Sequence, residues 1–212
     1  MSLGIREGLS YCLCDGRPIF MDLDSRRYST LPAQLCGPFV AFMAGEQAIP
    51  QTDVDRLIAL RVIQPGTGTH QPREILPLPT HEIMPARQAS STVVALAAQG
   101  VATWQVRSIS LRRLLTDEAA RRPSDHQDAN EQDLGRLRRA FERIASLFGE
   151  ANECLPRSLA FRRLALRYGH RPSLVIGVKI NPFGAHCWVQ SGARVDNDSL
   201  ERVRLFTPIH VV

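Results

Sequence analysis

Between Gln64 and Pro85 the chain reads QPGTGTHQPREILPLPTHEIMP, with five prolines and two glycines. Proline fixes φ and has no backbone N–H, so this density rules out a helix or a central strand. The stretch therefore divides the 212 residues into a small N-terminal part and a larger C-terminal one. The length agrees, being above the usual single domain and below two full-sized ones. The expected division is a first domain at residues 1–66, a linker at 67–85 and a second domain at 86–212.

Ahead of the linker, Leu9 to Cys14 and Pro18 to Leu23 flank Asp15-Gly16, a strong hairpin signal, and Arg26 to Leu31 follows as a third strand. The period then changes. Pro32 suits the start of a helix carrying Leu35, Phe39, Val40, Phe42 and Met43, with Gly45 as its stop. A second helix is expected near Thr52, with Asp55 in a loose capping-box arrangement.

The formal charge is +5, which raises the question of an acidic partner such as nucleic acid. Residues 1–80 carry seven arginines against eight acidic residues, so a basic surface belongs to the remainder. Phosphate binding by the first domain is disfavoured, because only Arg26-Arg27 clusters there. No stretch approaches the roughly 20 apolar residues that cross a bilayer, and the start lacks the pattern of a signal peptide. A cytoplasmic protein with no membrane partner is expected. The five cysteines, Cys12, Cys14, Cys36, Cys154 and Cys187, lack CxxC spacing, so neither a disulfide framework nor a zinc site is expected. His70, His81, His126, His170 and His210 show no ligand spacing, and no GxxxxGK[ST] loop is present. No metal or cofactor is called for.

In the C-terminal part, Val93 to Leu115 reads as helical and rather apolar, with Gly100 as the weak point of one continuous rod, and a polar break follows from Arg121 to Asp128. From Asn130, Leu134, Leu137, Phe141, Ile144, Ala145 and Phe148 form one stripe up to a stop at Gly149. Arg136, Arg138, Arg139 and Arg143 read as a solvated face of that helix. Next comes ECLPRSLAFRRLALRYG. Pro156 fits the first turn of a helix, which places Cys154 at the helix N-terminus, where backbone N–H groups and the macrodipole favour a thiolate. Cys154 shares an arc with Ala160, Phe161, Leu164, Ala165 and Tyr168, while Arg162, Arg163 and Arg167 point away. A lone cysteine on an apolar face is by itself an inert packing residue. It needs a partner to be anything else.

Two strands follow, Ser173 to Ile180 and Ala185 to Ser191, and a third is expected at Arg194 to Asp198. If His186 faces the cysteine helix, side-chain alternation turns Cys187 away. Asp196 and Asp198 share parity, and an odd-length loop around Gly192 puts both on the His186 face, whereas a two-residue loop does not. With the odd loop, Asp198 falls within reach of His186 and Asp196 pairs nearer the turn. Cys154, His186 and Asp198 then have the residue types of a thiol triad: nucleophile, base and orienting acid. Runs of strands and runs of helices, segregated along the chain, read as an α+β fold.

The run CLPRSLAFRRLALRYGHRPSLVIGVKINPFGAHCWVQSGARVDND resembles the core of the lasso-peptide maturation B proteins, members of the transglutaminase-like cysteine protease superfamily. The resemblance rests on the helix-start Cys-Leu, the LVIGV strand, the AHxWV strand and the Asn-Asp after the histidine. It implies a papain-type α+β protease domain with Cys154, His186 and Asp198 as its catalytic residues. The N-terminal module is similar to the winged-helix-like elements that recognise leader peptides of ribosomally made natural products. That similarity implies a leader peptide added to the strand Arg26, Arg27, Tyr28, Ser29, Thr30 and Leu31 and packed on the helix carrying Asp53 and Leu57. The implied activity is cleavage of a lasso precursor at its leader–core junction. The implied partners are that precursor and an ATP-dependent cyclase of the asparagine-synthetase-like type. An acyltransferase with the same triad and a non-catalytic precursor-binding scaffold are the alternatives.

Overall fold

The computed structural model describes residues 3–46, 49–66, 76–121, 130–147 and 153–212. The chain forms two compact units, Met1–Arg73 and Glu74–Val212.

The first unit contains β1 (Leu3–Ile5), β2 (Leu9–Cys14), β3 (Arg17–Asp22), β4 (Arg27–Thr30), α1 (Ala33–Met43), α2 (Gln51–Ala59) and β5 (Ile63–Pro65). β2, β3 and β4 form an antiparallel sheet in that order, and β1 pairs with β5. The β2–β3 turn takes positive φ at both Asp15 (49°) and Gly16 (75°), the primed geometry that matches strand twist. Helix α1 stops at Gly45, whose φ of 76° an L-residue adopts only under strain. Helix α2 begins without the expected capping box: its N-cap is Pro50, and Gln51 hydrogen-bonds Asp55 instead. The two helices and the sheet bury Phe20, Leu31, Leu35, Phe39, Val54, Leu57, Val62 and Ile63. Edge-on ring contacts of Phe39 with Phe20 at 5.0 Å and Tyr11 at 5.2 Å fix the packing of α1 on the sheet.

The second unit contains β6 (His81–Glu82), α3 (Thr92–Ser108), α4 (Leu111–Ala120), α5 (Glu131–Ile144), α6 (Cys154–Arg167), β7 (Ser173–Lys179), β8 (Gly184–Ser191), β9 (Arg194–Val195), α7 (Leu200–Val203) and β10 (Thr207–Val211). Its sheet has the order β10-β7-β8-β9-β6, with β6 parallel to β9 and the other pairs antiparallel. Val175, Trp188, Val195 and Val203 pack together on one side of the sheet. Leu174, Ile176, Cys187 and Val189 alternate with them and are buried, with α6 packed on β8. Gly177 is required by this layer, since a Cβ there would lie 2.7 Å from the Trp188 ring. Among the described residues no helix is long and apolar enough to cross a membrane.

Several local expectations change. The proline-rich stretch is not all linker: 67–75 fall outside the described residues, but His81–Glu82 form an edge strand beside β9, a place proline-flanked segments tolerate. Gly100 does not interrupt α3, which runs to Ser108. The break comes at Ile109-Ser110, where Ser110 caps α4 by accepting from Arg113 N–H. Asn130 caps α5, and that helix ends at Ile144; Phe148 and Gly149 lie outside the described residues. Arg138 is not solvated. It is 9% exposed and bonds the Ile83 carbonyl, Glu82 and Glu142, fastening β6 to α5.

Arg162 and Arg163 likewise point not to water but to α4. Glu118, with no exposed surface, accepts from Arg162 at 3.1 Å, Arg163 at 2.7 Å and Arg121 at 2.8 Å. Arg162 is itself 6% exposed and also bonds the Pro172 carbonyl. Removing one partner of a buried ion pair strands the other charge, at a cost of about 3–5 kcal/mol. Glu118→Ala should lower the unfolding free energy of the second unit by that amount in a urea titration. Adding Arg162→Leu to Glu118→Leu should recover most of the loss; if the double variant is as unstable as the single one, the stranded cation is not the cause.

Candidate active site

The Cys154 side chain is placed by the start of α6. Glu153 is the N-cap, so Cys154 is the first helical residue and Pro156 sits in the first turn, where its missing N–H costs no intrahelical bond. The groups that act on the Cys154 sulfur are the His186 ring and the backbone N–H groups of Cys187 in β8 and of Leu155 in its own helix, all of which favour the thiolate. His186 Nε2 lies 2.5 Å from Asp198 Oδ2. That leaves Nδ1 as the nitrogen available to the thiol. Asp198 Oδ1 in turn accepts the Ser199 N–H at 2.7 Å. The His186 and Asp198 side chains are only 12% and 15% exposed, so water screens the pair weakly.

The walls of the site are aromatic. His186 stacks on Trp188 at 6.2 Å between centroids and tilts against Phe206 at 5.2 Å. Lys179 lies over the other ring of this wall, 5.4 Å from the Phe206 centroid. Glu82 accepts the Leu200 N–H at the start of α7, which fixes the loop that carries Asp198.

The electrostatics follow from these contacts. Burial alone would push the Cys154 thiol up, but the His186 hydrogen bond and charge and the two backbone N–H groups outweigh it and bring the thiol below its usual range. Burial disfavours the His186 imidazolium. The hydrogen bonds and charges of Asp198 and Cys154 nevertheless raise its pKa to about 9. Burial also opposes ionisation of Asp198, and its bond to His186 and the Ser199 N–H hold it below the ordinary carboxylate range. All three shifts favour a thiolate–imidazolium pair braced by a carboxylate. Its protonation window has a definite sign. Below the lowered Cys154 pKa the sulfur is a thiol and inert; above about pH 9 His186 has lost the proton a leaving group needs. A reaction that needs both the thiolate and the imidazolium should have a kcat/KM that rises through the first limit and falls near the second, and the iodoacetamide alkylation rate should show the first limit alone. A single ascending limb centred near the ordinary cysteine value of about 8.5 would mean that no ion pair forms.

The sequence expectation named these three residues, but the geometry that unites them differs. The β8–β9 register pairs Ser191 with Arg194, so the loop is the two-residue Gly192-Ala193, not an odd one. Ladder parity would then turn Asp198 away from His186. Asp198 reaches the ring because β9 ends at Val195 and the chain leaves the ladder. Asp196, the rejected candidate, is fully buried and bonds Ser191 and Arg194. The side-chain alternation is also reversed. Cys187 lies beside the Ser158 hydroxyl of α6, and burial pushes its thiol well up, while His186 lies on the Trp188 face. The thiol and the ring meet at the edge of β8, not across its face.

The expected peptide-binding residues fall into two groups. Arg27, Tyr28, Ser29 and Thr30 form β4, which among the described residues pairs only with β3. Arg26 stands in the turn before it at φ 57°, and Asp53 is partly exposed in the first turn of α2, 3.5 Å from Arg56. Leu31 and Leu57 are different: they are 7% and 0% exposed within the core, because the apolar sides of the chain face the sheet. They hold the fold and have no surface to offer a ligand. Sequence reasoning missed Ser158 and Asn197 beside the triad; both lie within the quoted motif, one helical turn after Cys154 and one residue before Asp198.

A family model described as Transglutaminase-like superfamily matches residues 96–211, a span that holds Cys154, His186 and Asp198. No curated protein and no solved structure matches the chain.

Proposed function

The chain belongs to the transglutaminase-like superfamily, and from that premise we propose that it is a cysteine peptidase that cleaves a ribosomally made lasso precursor at its leader–core junction. The observation that carries the catalytic part is the Cys154–His186–Asp198 arrangement, with 2.5 Å between His186 and Asp198. The Cys154 thiolate attacks the scissile carbonyl, forming a C–S bond. Collapse of the tetrahedral intermediate breaks the C–N bond, and the His186 imidazolium gives its proton to the departing amine. His186, now neutral, takes a proton from water, whose oxygen attacks the thioester. The leader leaves as a carboxylic acid and Cys154 is regenerated.

The leader part of the reading rests on β4. An edge strand with mostly exposed side chains suits addition of a peptide strand, with main-chain hydrogen bonds supplying affinity. Arg26, in the turn before β4, and Asp53, in the first turn of α2, are the charged contacts this reading expects. The freed core, with its new N-terminal amine, is the substrate expected of an ATP-dependent cyclase of the asparagine-synthetase-like type.

An acyltransferase is the second reading, since the family relationship favours it equally and the same thioester can be captured by an amine. The test is incubation of the purified protein with the precursor encoded beside its gene, with mass spectrometry of the products. A leader fragment ending in a free acid supports the peptidase. A leader amide establishes the transferase. A precursor that is bound but left intact by the protein, with or without its cyclase, sinks both enzymatic readings in favour of a scaffold.

A further inference from the structure

β9 ends at Val195, so the edge of β8 running back toward His186 has no strand beside it among the described residues. A bare sheet edge leaves N–H and C=O groups without partners. Here each is met individually. The Val189 C=O accepts from the Asp196 N–H at 2.9 Å, and the Val189 N–H donates to Asn197 Oδ1 at 2.7 Å. The Cys187 C=O accepts from Ser158 Oγ at 2.9 Å, and the Cys187 N–H is among the groups that hold the Cys154 thiol below its usual range. Asn197 Nδ2 donates to Ser158 Oγ at 2.9 Å.

The direction of every bond in this chain is determined. The serine hydroxyl has one proton and gives it to the Cys187 carbonyl, so toward Asn197 it must be the acceptor. The asparagine must then present its amide nitrogen to Ser158 and its oxygen to Val189, which is the arrangement found. Ser158 lies one turn along α6 from Cys154, so one helix face supplies both the nucleophile and the group that grips the strand. We propose that Ser158 and Asn197 are positioning residues, which hold the Cys187 backbone so that its N–H meets the Cys154 sulfur and keeps the thiolate at His186. Their side-chain bonds run to the β8 backbone and to each other. They take the place of the missing strand and convert a sheet edge into a socket for the nucleophile.

The inference rests on the thiol-triad reading for its catalytic meaning, but its test needs no peptide. The rate of Cys154 alkylation by iodoacetamide, followed by peptide mass mapping across pH, is compared for wild type, Ser158→Ala, Ser158→Thr and Asn197→Ala, with circular dichroism as the check on folding. The midpoint should move up by about one unit in both alanine variants, equivalent to roughly a tenfold loss of thiolate preference. Ser158→Thr, which keeps the hydroxyl, should stay near wild type. On a junction peptide, kcat should fall by about 10- to 100-fold in the alanine variants with KM little changed, as expected when reacting groups are misplaced. Wild-type midpoints in both alanine variants would overturn the proposal, and so would a Ser158→Thr shift as large as that of Ser158→Ala. Should Ser158→Ala not fold, Asn197→Ala, in a partly buried loop, decides the matter in the same way. Absence of leader cleavage would sink the peptidase reading without touching these midpoints.

Discussion

Cys154→Ala should abolish cleavage of the precursor, leaving kcat lower by about 10⁵- to 10⁶-fold, the scale seen when the nucleophile of a concerted triad is removed. Leader binding, which is proposed for β4 and α2, should be unchanged, because those elements lie in the other compact unit. His186→Ala should cost about as much, and the double variant little more, since a nucleophile without its base and a base without its nucleophile fail at the same step. The chemical readout is independent of the substrate. All five cysteines are free, but Cys12, Cys14 and Cys187 are buried, and burial pushes the Cys187 thiol well up. Cys36 and Cys154 are the two half-buried ones, and Cys154 has the contacts that lower its thiol pKa. The fast phase of alkylation at neutral pH should therefore map to Cys154 and vanish in the alanine variant, with Cys36 as the slower background. Cleavage by Cys154→Ala at more than a hundredth of the wild-type rate would remove the sulfur from the mechanism, whatever the other residues do.

How much of this site could be read from the sequence depends on the range of the interaction concerned. The start of α6 was legible, because Pro156 and the apolar repeat Ala160, Phe161, Leu164 are local signals. So were the two long strands of the AHxWV and LVIGV runs. The join between them and Asp198 was not, because it depends on where β9 stops. A two-residue turn fixes side-chain parity only as long as the ladder lasts, and this ladder lasts for two pairs. The arginines failed for a related reason. A helical repeat identifies the apolar face and leaves the other face blank, and what fills that blank comes from far away in the chain. Glu118 is 44 residues from Arg162, and the carbonyl bonded by Arg138 is 55 residues away, in the stretch read as linker. Charges that look solvated in a local window become buried partners when such elements dock. The buried positions of Leu31 and Leu57 follow the same rule in reverse: similarity implied contacts at these two residues, and the apolar repeat that made them visible is what turns them into the core.

Asp198→Asn should lower kcat by on the order of 10³- to 10⁴-fold, with little change in KM, although the substitution keeps the size and shape of the side chain. The carboxylate has only acceptors, and two donors use them: the His186 Nε2–H at Oδ2 and the Ser199 N–H at Oδ1. Asparagine has one oxygen for these two tasks. If the oxygen stays on Ser199, the amide NH₂ faces Nε2, and the imidazole must carry its proton on Nδ1, toward Cys154. That tautomer cannot take the thiol proton. If the amide turns over, His186 keeps its acceptor but an NH₂ confronts the Ser199 N–H, and the turn leading into α7 (Leu200–Val203) loses a bond that holds residue 198 in place. Charge is lost in either case. The His186 pKa should fall from about 9, the alkaline limb of the cleavage profile should move down with it, and Cys154 alkylation near neutral pH should slow, because less imidazolium remains to stabilise the thiolate. Two readouts that share no substrate thus move together. An asparagine variant within about tenfold of wild type, with both pH limits unmoved, would mean that Asp198 neither orients the ring nor holds its charge, and the base would need another partner.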